Sequence, residues 1–487
     1  MLFGSCVAVL VLAVLFGGGT SIGFLGDAAA QAAAVPLLCV ALWPMMERSG
    51  WDAQRRAIAV VFLSALAIVA LQLLPLPFHI WSGGEKLLSR SGTAGIAPST
   101  AWDTFSLTPQ ATWAAAVSLL VPLAVFSAVV RLDFQQRRML CWIVLGLGVL
   151  SLVIGFLQVA QGPGSGLRFY SYTNLTEAVG FFANRNHFAA LIVVSLVLVG
   201  YWSTMPKVGA RPPASNLLLW AVIALTFVAL VTGVMLARSR AGFFLAMLAI
   251  GGGAAIFFAA RTQEDTGGRE NRASSRAVAT VAIIAMLFAV QFGIGRLLTR
   301  FEGDFVDDLR LRFAGATLQT AIKSLPFGTG LGSFVPVYSA VEKSDDVHPG
   351  YANRAHNDFA EIFLETGVIG AFVILAFLAW FSNRSWTVWK APPVGEARDV
   401  TALNRTAVVI LALLLAHSIV DYPLRTTALA AIFALFCGIL AVPATYEVQP
   451  QPKPRRGRHH SRGEVKREAW ASEIAWPEDW RRTGASS

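Results

Sequence analysis

The chain has 487 residues, of which 55% are hydrophobic and only 14% are charged, and its mean hydropathy is +0.59. Soluble domains contain roughly 25% charged residues, so this composition indicates an integral membrane protein and excludes an ordinary soluble domain. A net charge of +10 would suit a nucleic-acid partner. The basic residues are distributed as a membrane topology signal instead, so no nucleic-acid partner is expected.

Long apolar runs recur along most of the chain. A helix needs roughly 20 apolar residues to cross a ~30 Å hydrocarbon core, so each such run is a candidate span. The sequence therefore predicts an all-α fold, that of a polytopic integral membrane protein with about twelve transmembrane helices. The predicted spans are centred near residues 12, 38, 66, 122, 149, 196, 226, 249, 286, 373, 412 and 435.

The basic residues predict how these spans are oriented. With the N-terminus in the cytoplasm, the inner connections hold sixteen of the 39 lysines and arginines and the C-terminal tail holds nine, whereas the shorter outer loops hold seven. Cytoplasmic loops carry such an excess, so we expect both termini to be cytoplasmic. Of the remaining seven, six lie in a long outward loop, residues 297–360, between spans nine and ten, and Arg296 directly precedes that loop.

The chain divides into two parts by composition. Residues 1–444 hold all the predicted spans and form the predicted transmembrane domain. Residues 445–487 are rich in Pro, Arg and Glu and have no sustained periodicity. A segment of that kind buries too little apolar surface to offset the entropy of ordering, so we expect a largely disordered, basic cytoplasmic tail.

The long outward loop contains two predicted helices. Residues 309–323 have apolar positions at helical spacing, Pro326 should end that helix, and the glycines of the following GTGLGSF run should form a tight turn. The second helix is expected to start near Asn357, with Asn357 or Asp358 as its cap and Glu361 reaching back as in a capping box. It should continue directly into span ten.

Four arginines near the outer ends of the spans are candidates for binding a phosphate group. Arg238 and Arg240 form a pair in a very short outward turn, and Arg310 and Arg312 lie on the first loop helix. A guanidinium group binds diphosphate oxygens through a planar fork and stays charged at any relevant pH. The alternatives are an interfacial anchor for Arg240 and a solvated helix face for Arg310 and Arg312.

His356 is the sharpest single candidate for acid–base chemistry. Histidine accepts or donates a proton near neutral pH, and activating a sugar hydroxyl for attack on an anomeric carbon needs such a base. The alternative is a structural histidine at the mouth of a span. Glu361 and Glu365 lie a helical turn apart, as cap and interface residues or in contact with an acceptor sugar. No cluster has metal-ligand spacing, so no metal is predicted.

Five segments in order resemble the O-antigen ligase and polymerase superfamily of bacterial envelope proteins. The resemblance covers about residues 60–442. Its motifs are FFANRNHFAA at 181–190, ARSRAG at 237–242, LPFGTGLGSF at 325–334, AHNDFAEIFLETGVIGA at 355–371 and HSIVDYPLRTTALAAIFALFCGIL at 417–440.

The resemblance implies a multi-pass enzyme of the bacterial inner membrane that takes a glycan from undecaprenyl diphosphate at the periplasmic face. The acceptor would be lipid A–core, another lipid-linked glycan or a protein, in O-antigen or exopolysaccharide biosynthesis. The expected partners are that donor, a lipid or glycan acceptor, membrane lipid and polysaccharide-assembly proteins. No cofactor is expected, and the transfer would be metal-independent.

The resemblance also implies roles for individual residues. Arg240 matches the arginine of a Ser-Arg motif, Arg312 resembles an arginine upstream of the Pro-Gly turn, and His356 matches the proposed general base; these three form the expected catalytic set. The residues that we expect to bind substrate are Arg238, Arg185, Asn186, His187, Arg310, Asn357 and Glu365.

Two questions stay open at this point. A transporter or flippase of lipid-linked oligosaccharides is the alternative function, and twelve spans would suit it. Transporters commonly keep ionisable residues inside the bilayer, whereas here all 39 Lys and Arg fall in predicted loops, the tail or span ends. Within the enzyme class, the sequence does not separate a ligase from a polymerase.

Overall fold

The structure is a computed structural model of the whole chain. It describes residues 1–20, 25–43, 53–77, 102–205, 213–261, 287, 305–342, 353–391 and 397–442. The predicted span near residue 286 and the predicted tail from residue 445 lie outside the described residues.

The described part of the chain is built from fourteen α-helices, one short 3₁₀ turn and one pair of short strands. In chain order these are α1 Leu2–Phe16, α2 Leu25–Leu42, α3 Ala53–Leu73, β1 Pro75–Pro77, β2 Trp102–Thr104, α4 Pro109–Ser118, α5 Leu120–Arg131, α6 Phe134–Gln161, α7 Arg185–Trp202, α8 Pro213–Ala237, α9 Arg240–Arg261, α10 Phe305–Lys323, α11 Phe334–Val341, α12 Asp358–Lys390, α13 Ala397–Val420, the 3₁₀ turn Pro423–Arg425 and α14 Thr427–Ala441. Strands β1 and β2 pair antiparallel over three residues each.

The all-α, membrane-spanning class is confirmed, but the count of about twelve spans is not. Within the described ranges, nine helical segments are long and apolar enough to cross a membrane, α4 and α5 together forming one of them. Helices α1 and α14 coincide with two further predicted spans but have only 15 residues each. At a rise of 1.5 Å per residue they reach about 22 Å, less than the hydrocarbon thickness.

Buried polar side chains join the helices at one end of the bundle, which we call the polar end. Gln72 of α3 donates to the Glu365 carbonyl of α12 (2.8 Å), and Gln158 of α6 donates to the Gly180 carbonyl ahead of α7 (2.9 Å). The Ala178 N–H donates to the Leu236 carbonyl at the end of α8 (3.1 Å). Helices α3, α6 and α8 therefore end where α7 and α12 begin.

Helices α7 and α9 run parallel in close contact. A Cβ atom on Gly242 would lie 2.5 Å from the Ala189 Cβ, and one on Gly200 would lie 2.6 Å from the Gly253 Cα. The second contact lies eleven residues after the first on both helices, so α7 and α9 run in the same direction. Small residues let two backbones approach in this way. Arg240, the first residue of α9, therefore starts at the polar end, as α7 does.

Helix α12 is kinked at Gly367, where the backbone has φ 57° and ψ −141°. The turn after α10 satisfies backbone groups at the kink. The Thr329 N–H donates to the Leu364 carbonyl and the Gly330 N–H to the Glu365 carbonyl, both at 2.9 Å, while the Val368 N–H donates to the Pro326 carbonyl at 2.9 Å. The predicted loop helix and glycine turn are thus confirmed, and their function in the fold is to brace α12.

Gly367→Ala should destabilise the protein, because a Cβ there would lie 2.2 Å from the Pro326 carbonyl oxygen and φ is positive. We expect the free energy of unfolding to fall by about 1–3 kcal/mol, measured by thermal unfolding of the purified protein in detergent. The matched control is Gly251→Ala in α9, where a Cβ meets nothing within 4 Å. Equal melting of both variants would contradict the brace.

Candidate functional site

His356 lies at the polar end against a buried carboxylate. Its Nδ1 is 3.3 Å from Asp421 Oδ1, and its side chain is 16% exposed while that of Asp421 is 0% exposed. The Asp421 Oδ1 also accepts the Tyr422 N–H (3.0 Å), and Oδ2 accepts from the Asn186 side-chain amide. Asp421 follows α13 directly, so this contact joins the end of α13 to the start of α12.

The surroundings of Asp421 keep it ionised. Burial alone would raise the pKa of Asp421, but the hydrogen bond with His356 and the positive charges nearby, including Arg310, hold it well below its ordinary value. An ionised Asp421 accepts a hydrogen bond from His356 Nδ1–H. That tautomer leaves Nε2, the other ring nitrogen, as a proton acceptor.

Aromatic rings set the position of the His356 imidazole. Phe313 of α10 stacks on it with centroids 6.4 Å apart, and Tyr422 meets it edge-on at 5.0 Å. Burial, followed by the charge of Asp421, raises the pKa of Tyr422 to about 12, so its hydroxyl stays neutral. The His356 backbone also has φ 51°, a conformation that residues other than glycine rarely adopt. Such backbone conformations cluster at functional sites.

A second cluster, which we call the carboxylate clamp, consists of Asp358, Glu361 and Glu365 around Arg425. Arg425 Nη1 lies 2.9 Å from Glu365 Oε2, Nη2 lies 3.6 Å from Glu361 Oε1, and Nε lies 3.6 Å from Asp358 Oδ1. Burial alone would lower the pKa of Arg425, but the three carboxylates raise it above its ordinary value. Arg354 forms a second ion pair with Glu361 at 2.9 Å.

The start of α12 differs in one respect from the sequence prediction. Asn357 is the cap, as expected: its Oδ1 accepts the Ala360 N–H (2.9 Å) and its Nδ2 donates to the Ile419 carbonyl (2.8 Å). Glu361 does not complete a capping box, because its carboxylate accepts the Ala355 N–H instead (3.0 Å). Glu365, predicted to bind substrate, is buried with its Oε1 accepting the Gly332 N–H (2.9 Å).

The Asn-rich motif at the start of α7 contributes to the site mainly through buried residues that contact Asp421 and Tyr422. Asn186 is 4% exposed and holds Asp421, and His187 is fully buried with its ring 4.9 Å from that of Tyr422. Arg185 is more open and pairs with Glu177 at 2.7 Å. Of the three residues, only Arg185 presents part of its side chain outward, which leaves it as the member best placed to meet a ligand.

The four candidate arginines have different surroundings. Arg238 is exposed, and Arg240 is half-buried at the first residue of α9. Arg310 is half-buried on α10, and its charge acts on Asp421, whereas Arg312 is exposed on the same helix. The charge of Arg310 thus reaches Asp421 of the His356–Asp421 pair. Convergence of Arg240 and Arg312 on His356 stays a prediction.

Arg238 belongs to a separate group around Glu177, on the loop before α7. Burial alone would raise the pKa of Glu177, but the Thr176 hydroxyl and the charges of Arg185 and Arg238 hold it below its ordinary value. Arg168 closes the loop by donating to the carbonyls of Asn174 (2.5 Å) and Glu177 (3.0 Å). Arg185 and Arg238 therefore lie on one surface.

Sequence reasoning missed Asp421, Tyr422 and Arg425 as site residues. All three lie in the HSIVDYPLRTT segment, which carried the family resemblance but was given no chemistry of its own. The available signal was an acidic residue directly at the end of a predicted span, followed four residues later by an arginine. Nothing local in the sequence indicates that this acid contacts His356, 65 residues away.

Comparison with known proteins supports the resemblance. Residues 224–375 match the family model described as O-Antigen ligase, which confirms the predicted resemblance to the O-antigen ligase and polymerase superfamily. No curated protein matches the chain. The matched segment begins within α8 and ends in α12, eight residues after the kink at Gly367. It includes Arg240, Arg310 and His356, whereas Asp421 and Arg425 lie beyond it. Among the described residues, no group of three or more His, Cys, Asp or Glu is arranged to hold a metal ion.

Asp421→Asn should remove a pH-dependent contribution to stability. Because the pKa of Asp421 is lower in the folded protein than in the unfolded chain, its contribution is full above about pH 4 and is lost as the pH falls through the folded-state pKa. We expect the melting temperatures of wild type and Asp421→Asn to differ most near neutral pH and to converge in acid. A difference that is constant with pH would contradict an ionised, hydrogen-bonded Asp421.

Proposed function

We propose that this protein is a membrane glycosyltransferase that moves a glycan from an undecaprenyl-diphosphate-linked donor to a lipid or glycan acceptor at the periplasmic face of the bacterial inner membrane. The observation that carries the proposal is the His356–Asp421 pair: a partly exposed imidazole oriented by a buried, ionised carboxylate. The O-Antigen ligase match supports the same class of reaction.

The arrangement suits removal of a proton from an acceptor hydroxyl. His356 Nε2 takes the proton while the hydroxyl oxygen forms a bond to the anomeric carbon of the donor glycan. The bond from that carbon to the diphosphate oxygen breaks, and the lipid diphosphate leaves with the electron pair. Asp421 stabilises the imidazolium that forms, since an adjacent carboxylate favours the charged ring.

Arginines would stabilise the charge of the departing diphosphate. Guanidinium groups form strong, bidentate hydrogen bonds with phosphate oxygens, and fixed charges aimed at developing negative charge lower the barrier. The charge of Arg310 reaches Asp421, and Arg240 begins its helix at the same end of the bundle. We propose that Arg240, Arg310 and Arg312 bind the donor, with Arg185 and Arg238 on the adjoining surface.

The polar end would face the periplasm, with both chain termini in the cytoplasm. This orientation is supported by the excess of basic residues on the opposite connections and in the tail. It would place the His356–Asp421 pair where the diphosphate of a lipid-linked glycan meets water. The described carboxylates of the site lie at helix ends, which favours an enzyme over a carrier that binds its substrate at mid-membrane.

His356→Ala should abolish glycan transfer by purified protein in detergent, supplied with lipid-linked donor and acceptor. Loss of a general base costs about 10²–10⁴ in rate. The control is Lys390→Ala, at the opposite end of α12, which should leave transfer unchanged. A flippase would make no product without a sealed membrane, so an inactive wild type with normal folding, or an active His356→Ala variant, would overturn the proposal.

Arg310→Ala should impair transfer more than Arg312→Ala, because Arg310 is the half-buried member that acts on Asp421 while Arg312 is exposed. We expect kcat/KM for the donor to fall by about tenfold or more for Arg310→Ala, the effect of losing a charged hydrogen bond. Steady-state kinetics of the two variants provide a matched pair on one helix. The reverse order would assign the donor contact to Arg312.

A further inference from the structure

Arg425 joins the segment that carries Asp421 to the helix that follows His356. The geometry points to Arg425 as a positioning residue for glycan transfer: by clamping the first turns of α12, it holds Asp421 against the His356 imidazole. This inference rests on the function proposed above. Arg425 itself acts through other groups, since its guanidinium faces the carboxylate clamp.

The clamp follows from helical spacing. Asp358, Glu361 and Glu365 are three and four residues apart, which places their side chains on one face of the first turns of α12. All three are buried, at 2%, 0% and 0% exposure. Arg425 donates a hydrogen bond to Glu365 at 2.9 Å and lies 3.6 Å from both Glu361 and Asp358 as an ion-pair partner. Its planar fork of donors is thus placed by three separate points on the helix.

The Asp421–Arg425 segment is attached to this region at both ends. At one end Asp421 contacts His356, one residue before the cap of α12. At the other end Arg425 meets the carboxylates. Between them the Leu424 N–H donates to Asp358 Oδ2 (3.3 Å), which also accepts from the Ser418 hydroxyl (2.8 Å). A shift of the segment along α12 therefore breaks several buried contacts at once.

Charge makes this arrangement hard to change. Removing one partner of a buried ion pair leaves an uncompensated charge away from water. The free-energy cost of that charge is much larger than the net stability that the intact pair contributes. Glu365 extends the connection further, because its other oxygen accepts the Gly332 N–H of the turn after α10. Arg425 thus links the Asp421 segment, α12 and the turn that follows the helix carrying Phe313 and Arg310.

The consequence for the reaction is a fixed distance between Asp421 and His356. A misplacement of about 1 Å at a reacting group can cost about 10²-fold in rate. Lysine at position 425 keeps the charge but is a point donor on a flexible stem and cannot bridge three carboxylates. Arg425→Lys should therefore lower kcat rather than substrate binding.

The test compares purified wild type, Arg425→Lys, Asp421→Asn and the double variant in the detergent transfer assay. We expect Arg425→Lys to be folded and monodisperse, with kcat reduced by about 10²-fold and the KM values for donor and acceptor little changed. The double variant should be no slower than Asp421→Asn alone, because both changes disable the same unit and their effects are not additive.

The matched control is Arg384→Lys. Arg384 also lies on α12 and joins it to another helix, donating to the Leu440 carbonyl at 3.0 and 2.8 Å, but at the end opposite His356. It should lower the melting temperature without changing kcat. Should Arg425→Lys fail to fold, Glu365→Gln removes one charge of the clamp while keeping an oxygen for Gly332, and the same fall in kcat is expected.

Three results would overturn the inference. The first is a wild-type kcat in folded Arg425→Lys or, where that variant fails to fold, in folded Glu365→Gln. The second is a double variant whose loss of kcat equals the product of the two single losses. The third is a loss of kcat in Arg384→Lys as large as that in Arg425→Lys. Failure of the proposed function looks different, since His356→Ala would then stay active or wild type would transfer no glycan. An active wild type, an inactive His356→Ala and a fully active Arg425→Lys would reject only the positioning function.

Discussion

The polar end depends on the pairing of buried carboxylates with donors that come from other helices. Asp421 is fully buried, yet it stays charged because His356, Asn186 and the Tyr422 backbone all donate to it. His356 and Asn186 are distant from Asp421 in the chain, whereas Tyr422 is the next residue. An unpaired buried charge costs several kcal/mol, so the need to pair this carboxylate brings together the ends of α7, α12 and α13.

The same requirement explains the kink in α12. Backbone groups freed inside a membrane protein must find partners within the protein, so irregular backbone occurs only where other segments satisfy it. Here the glycine turn after α10 supplies N–H groups to Leu364 and Glu365 and accepts the N–H of Val368. The brace separates a short polar half of α12, which carries the carboxylate clamp, from the long apolar half that follows.

Together these features place a partly exposed imidazole at the boundary of an apolar bundle. The His356 imidazole is partly exposed, while the groups that orient it are buried behind it. The proposed reaction between a lipid-linked donor and a hydroxyl acceptor would need this combination, because one substrate would be held by its lipid in the membrane and the other would arrive from water. The O-Antigen ligase match across residues 224–375 fits the same location.

Much of this architecture follows from sequence alone. Hydropathy predicted the nine described segments that are long and apolar enough to cross a membrane. Helical spacing and Pro326 predicted α10 and its turn, and His356 stood out as a histidine just ahead of a predicted span. These features are local, because apolar length, periodicity and turn residues act within a few residues of each other. The tertiary structure alone decided that Asp421 is the partner of His356, that Arg425 pairs with three carboxylates and that the charge of Arg310 acts on Asp421. Those contacts join segments many residues apart, and they depend on how the helices pack, which no local pattern specifies.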